Sequence, residues 1–166
     1  MKIYMENEDG FTLVELLIII GIISILTTIG IMSSRESMIE FRLNGAARQL
    51  YSDMQYARLN AVKGGKEWLV DFNADGSYVV KPKVVIPADN DRIKSVDIPA
   101  MYANVKLCQM IDIEFNPNGS VDLPKGSSVI SLGALVKKVY ISSAGTGNVR
   151  IAKPGDAELA SVTPCP

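Results

Sequence analysis

Between Glu15 and Arg35 stand 19 consecutive residues without a charge, LLIIIGIISILTTIGIMSS. Crossing a bilayer takes a helix of about 20 predominantly apolar residues, because lipid offers no partner to backbone polar groups. The run exceeds the ~7–15 apolar residues of a removable secretory signal. Only Lys2 precedes it, and no small-residue cleavage site follows it. It therefore reads as a retained membrane helix. Mean hydropathy is +0.18 over 166 residues of which 21% are charged, and this run supplies much of that value.

The rest of the chain reads as an ordinary soluble domain, and 48% hydrophobic content excludes a disordered one. A formal net charge of −1 gives no sequence-wide pull toward nucleic acid or a membrane surface. There is no histidine, which removes Ser-His-Asp and Cys-His nucleophilic sites and the commonest zinc ligand.

The head of the chain, MKIYMENEDG, is polar and ends in Gly10, and Phe11-Thr12-Leu13-Val14-Glu15 then leads into the apolar run. An acid at the edge of hydrocarbon costs of order 2.5–3.5 kcal/mol. Either Glu15 sits at the interface in water, or its burial at the edge of the membrane has a function. Gly10 to Glu15 resembles the prepilin signature of type IV pilins and type II secretion pseudopilins. The resemblance implies cleavage by a prepilin peptidase between Gly10 and Phe11, and N-methylation of Phe11. It implies that Glu15 neutralises the amino terminus of a neighbouring subunit in a filament. Opposite charges offset each other's desolvation in a low dielectric, and a first-turn carboxylate also suits the helix dipole. The implied partners are other pilins or pseudopilins, the peptidase and an inner-membrane assembly platform. The implied location is the bacterial inner membrane, single-pass, with a periplasmic C-terminal domain. The leader is acidic where family leaders are usually basic. Arg35, Arg42 and Arg48 outnumber Lys2 across the span, opposite to the positive-inside bias. Met32 stands where many members carry a proline, leaving Gly21 and Gly30 as points of low helix propensity.

After the span, Ile39, Leu43, Ala46, Leu50, Met54, Ala57 and Ala61 recur at spacings of three and four, the apolar face of a helix. Arg35, Glu36, Glu40, Arg42, Arg48, Asp53 and Arg58 fall mostly on the other face, and Gly64-Gly65 is the stop. A helix from about Thr12 to Val62 measures on the order of 75 Å, too long for burial in one globule. Its first half must lie in lipid or a filament core.

Beyond Gly65 the pattern turns to β. Residues 67–72 and 77–80 flank the Asp75-Gly76 turn, and 112–115 and 120–123 flank Asn116-Pro117-Asn118-Gly119. Residues 129–132, 138–142 and 149–152 are further strands, and 83–110 reads as a loop with one or two short strands. The fold class is α+β, a long helix packed on an antiparallel sheet. The expected divisions are a leader over 1–10, a membrane or filament-core half-helix over 11–34, an amphipathic half over 35–64 and a β-rich head over 65–166. The helix-then-hairpin order, with Phe115 to Gly119 and Val139 to Gly145, resembles GspH/FimT-type minor pilins and pseudopilins.

The chemistry expected is sparse. Asp71, Asn73, Asp75 and Gly76 copy the opening of an EF-hand loop, but its twelfth position is Pro82, so the segment reads as a turn and no metal is expected. The glycine-rich 143–147 lacks the following helix that a phosphate cradle needs. Cys108 and Cys165 are the only cysteines. In a periplasmic domain they favour a disulfide over free thiols, closing a loop of roughly 57 residues for about 3–4 kcal/mol. Lys137, Lys138, Arg150 and Lys153, with Tyr140, form either a solvated strand face or a DNA-contacting patch such as some minor pilins use in uptake. The leader carries one lysine and three acids, so its removal takes the formal charge from −1 only to +1. No nucleophile motif, cofactor site or enzyme constellation is present. The expected function is that of a minor pilin or pseudopilin, with a DNA-binding minor pilin as the alternative.

Overall fold

The computed structural model describes residues 11–121, 127–132, 135–142, 144–153, 156, 157, 162 and 165. The leader over 1–10, Gly10 included, and the side chains of 29–36, 127–129, 132 and 144 lie outside the described set. The chain divides into two units, Met1–Met38 and Ile39–Pro166.

Helix α1 runs from Leu13 to Gly64, 52 residues. Its start is set by Thr12, whose Oγ1 accepts the Glu15 N–H at 3.2 Å. Thr12 and Glu15 have the Thr-x-x-Glu spacing of a capping box, in which a side-chain oxygen satisfies a donor the helix leaves free. Its end is a Schellman stop. Gly65 takes a left-handed φ of +59°, and the Lys66 N–H reaches back to the Ala61 carbonyl at 3.3 Å.

In the second unit, α1 buries Leu43, Ala46, Ala47, Leu50, Met54, Ala57 and Ala61, while Ile39 stays 37% exposed. Two four-stranded antiparallel sheets share this core, where a single sheet was expected. The first has the order β3-β2-β1-β5, from β1 (Trp68–Phe72), β2 (Ser77–Pro82), β3 (Lys94–Asp97) and β5 (Ile113–Phe115). The second has the order β4-β6-β7-β8, from β4 (Lys106–Cys108), β6 (Ser127–Leu132), β7 (Leu135–Ile141) and β8 (Val149–Ile151). The division arises because β5 returns to pair with β1, Trp68 opposite Phe115, while β4 leaves to pair with β6.

The expected strand over 120–123 is not formed at its described end. Phe115 pairs with Trp68 on one edge and with Val121 on the other, the return arm keeping that one bridge, with 122 and 123 outside the described residues. The segment 83–110 holds the two short strands β3 and β4. It also holds a 3-10 turn (Pro87–Arg92) and a one-turn helix α2 (Ile98–Met101), capped where Asp97 Oδ1 accepts the Ala100 N–H at 3.0 Å.

The two hairpin-like turns are copies of each other. In Asn73–Ser77, Asp75 Oδ1 accepts from the Ser77 N–H at 2.8 Å and from its hydroxyl at 2.6 Å. In Asn116–Ser120, Asn118 Oδ1 does the same to Ser120 at 2.9 and 2.6 Å. Gly119 sits under Gly147, whose φ is +56° and whose missing Cβ would stand 2.1 Å from the Gly119 carbonyl oxygen. Gly147→Ala is therefore expected to cost about 3 kcal/mol or more, read as a lowered urea midpoint. Gly64→Ala meets nothing within 4 Å and should be neutral or stabilising by up to about 1 kcal/mol.

Candidate functional site

The described part of the first unit is apolar on every side. Phe11, Leu13, Val14, Leu16, Ile22, Ile25 and Leu26 are all more than half exposed. A helix that is apolar all round needs an apolar surrounding. Three hydroxyls of the apolar stretch are turned inward on the helix: Ser24, Thr27 and Thr28 donate to the carbonyls of Ile20, Ile23 and Ser24 at 2.7–2.8 Å. That removes three polar groups from the lateral surface. Glu15 is the one charge among residues 11–28, exposed in the first turn. Among the described residues no helix is long and apolar enough to cross a membrane. The uncharged run continues to Ser34, past Thr28, the last residue of the segment whose side chain is described.

In the second unit the helix is locked to the sheets by two polar anchors that sequence reasoning had placed on the solvent face. Asp53 is 1% exposed. Its Oδ1 accepts from Lys94 Nζ of β3 at 2.5 Å, and its Oδ2 accepts from the Tyr78 hydroxyl of β2 at 2.7 Å and from Gln49 Nε2 at 2.8 Å. Asp53 lies seven residues after Ala46 and four before Ala57, on the flank of the buried stripe, and that spacing is the signal that could have found it. Arg58 donates from Nε to the Gly119 carbonyl at 3.1 Å and from Nη2 to the Thr146 carbonyl at 2.7 Å. It thereby ties the turn after β5 to the turn before β8.

The other candidates scatter. Cys108 and Cys165 are bonded, with Cα atoms 5.8 Å apart, and the Cys165 N–H donates to Ser131 Oγ at 3.1 Å. The four basic residues do not share a face. Lys137 stands opposite Ile130 and on the side of Val139, the core side. Lys138, Tyr140 and Arg150 take the outer side, Arg150 directly opposite Tyr140. Lys153 follows β8, its N–H bound to Asp156 Oδ2 at 2.8 Å. The calcium-loop residues are engaged elsewhere. Asp71 pairs with Lys81 at 2.6 Å, and hydrogen bonds from Ser77 hold the Asp75 carboxyl below its ordinary range. Among the described residues no three metal-ligating side chains converge.

The model of the prokaryotic N-terminal methylation motif matches residues 5–31, across Gly10 to Glu15. The model of the type II transport protein GspH matches residues 46–151, from the alanine face of α1 to the last strand. The chain belongs to the GspH family. The crystal structure of the type IV minor pilin FimU of Pseudomonas aeruginosa covers 70% of this chain and 92% of its own, at 19% identity and a TM-score of 0.55. The minor pseudopilin EpsH from the type 2 secretion system of Vibrio cholerae covers 69% and 99%, at 12% identity and a TM-score of 0.52. These likenesses show a common fold. No curated protein matches the chain in sequence.

The Asp53 anchor makes two predictions. Asp53→Asn leaves Lys94 without its anion. Because the lysine is 45% exposed, the expected loss is about 2 kcal/mol, measured by denaturant unfolding. Burial pushes the Tyr78 hydroxyl well above its ordinary range, and its bond to Asp53 adds to the rise. The unfolded chain releases that proton near pH 10 while the folded chain keeps it, so stability falls as pH rises above about 10. Tyr78→Phe should remove this part of the alkaline slope, followed by unfolding between about pH 9 and 11.

Proposed function

We propose that this GspH-family chain is a minor pilin or pseudopilin, a structural subunit and not an enzyme. It is anchored in the inner membrane by its first half-helix and presents residues 65–166 in the periplasm. Prepilin peptidase cuts between Gly10 and Phe11, Phe11 is methylated, and α1 then carries the subunit from an inner-membrane platform into a filament of pilins. The observation that carries this reading is the match across Gly10 to Glu15 joined to a helix whose described first half has no apolar partner within its own unit.

In this mechanism Thr12 holds the first turn, so that Glu15 stands one turn from the new amino terminus. An amino terminus and a carboxylate from adjacent subunits then neutralise each other in an apolar filament core, where either alone is costly. The apolar side chains from Phe11 to Leu26 exchange lipid for sister helices at little net cost, since both surroundings are apolar.

Intact mass of the protein extracted from membranes tests the processing. The expected product lacks residues 1–10 and carries one added methyl group. A chain that still begins at Met1 in cells with active peptidase overturns the proposal. Glu15→Ala is expected to be cut normally yet to be missing from the sheared filament fraction.

A further inference from the structure

An open sheet edge presents unsatisfied N–H and C=O groups, and proteins usually close or blunt such edges. Here three of the four edges are treated in that way. In the first sheet β5 carries the Phe115–Val121 bridge, and β3 is a short strand bearing Lys94 and Asp97. In the second, β4 is held against the C-terminal tail by the Cys108–Cys165 bond.

The fourth edge, β8, is different. It reads Val149-Arg150-Ile151, with no proline and no acid, and no described residue pairs with its outer side. The ladder fixes which groups face outward. Ser142 N–H donates to the Asn148 carbonyl at 2.8 Å, and Ala152 N–H donates to the Lys138 carbonyl at 2.8 Å. Residues 148, 150 and 152 therefore turn their backbone groups toward β7, and Val149 and Ile151 turn theirs away. A groove of about 540 Å³ runs beside this edge, lined by Tyr51 of α1 and by Tyr140, Arg150 and Lys153 among others. Arg150 is exposed on the strand itself. Asp156 also lines the groove, but its carboxylate already accepts the Lys153 N–H.

We propose that β8 takes up an extended segment of a different protein chain by strand addition, with an acidic residue of that segment opposite Arg150. The outward groups of Val149 and Ile151 supply the hydrogen bonds. Arg150 then falls in a non-hydrogen-bonded pair, where facing side chains are closest, about 4.5 Å between Cα atoms. A second copy is the wrong occupant. The symmetric antiparallel register that pairs all three residues of two β8 strands sets Arg150 against Arg150, and like charges directly opposite are destabilising. The proposal goes beyond filament assembly and does not depend on it.

The test uses the full chain in detergent micelles with two capped peptides, TVEVT and TVKVT, followed by amide hydrogen exchange. TVEVT is expected to slow exchange at Val149 and Ile151 and to leave Arg150 and Ala152 unchanged. TVKVT should bind about tenfold more weakly, and Arg150→Glu should invert that order. Ile151→Pro removes an outward N–H without touching the β7 ladder, so it should abolish peptide binding while the melting temperature holds. If that variant unfolds, the Arg150→Glu inversion decides alone. Equal binding of both peptides, unchanged exchange at the two amides, or binding that survives in a folded Ile151→Pro variant overturns the proposal. So does protection of both amides in the concentrated free protein, or displacement of TVEVT by a single-stranded oligonucleotide.

Discussion

The close approach of α1 to the sheets rests on Ala46, Ala47, Ala57 and Ala61, all essentially buried. Alanine brings the helix backbone near the strands and gives up little side-chain entropy. A smooth face of this kind specifies distance well and rotation poorly. Rotation is fixed by the large side chains between the alanines, Leu43, Leu50 and Met54, and by the polar anchors on the flanks. Asp53 ties the helix to β2 and β3 of the first sheet through Tyr78 and Lys94, and Arg58 ties it to the turn before β8 of the second. Asp53 acts on the first sheet alone, whereas Arg58 reaches a turn of each sheet, so neither can substitute for the other.

The buried Asp53 is a different kind of charge from Glu15. Asp53 has three donors around its carboxylate within one unit. Glu15 has its backbone satisfied by Thr12 and its carboxylate exposed on an otherwise apolar surface. A fully partnered charge stabilises what is already folded. An unpartnered charge on an apolar surface favours an association that brings it a partner. The same residue chemistry thus serves folding at one end of the helix and, in the proposed mechanism, assembly at the other.

Much of this was legible in the sequence, and for identifiable reasons. The helix from Leu13 to Gly64 was readable because its uncharged run, its later period and its glycine stop agree, and β1 and β2 because an Asp-Gly turn separates alternating segments. The division into two sheets was not readable, because it depends on β5 choosing β1, a pairing made across about forty residues of chain. The second turn does return the chain antiparallel, but its described return arm is one bridge, Phe115 to Val121. Among the candidate site residues, the head motif is continuous in sequence and needs no fold to be recognised. Within the basic cluster, adjacent residues on a strand face opposite ways, which separates Lys137 from Lys138, while Lys138, Tyr140 and Arg150 stay on one side. Asp53 and Arg58 were missed because a wheel assigns side chains to faces and says nothing of what those faces meet.

The twin turns show how the same letters can spell two chemistries. Asp71, Asn73 and Asp75 have the spacing that opens a calcium loop, yet the sequence continues into a strand in place of further oxygen ligands. With Ser77 following Gly76, the Asp75 carboxylate is satisfied by a backbone N–H and a hydroxyl two residues on. Asn118 is satisfied in the same way by Ser120, and there the central oxygen belongs to a neutral amide. Because the geometry is the same with and without the negative charge, the charge is not what builds the turn. What the turn requires is an acceptor two residues before a serine and a glycine between them that tolerates positive φ, +87° at Gly76 and +79° at Gly119. The second copy then does more than reverse the chain. Its glycine carbonyl receives Arg58 from the helix and lies against Gly147 from the other sheet's last turn. The neutral copy of the turn, and not the one with the calcium-loop spacing, is thus the point where helix and both sheets are joined.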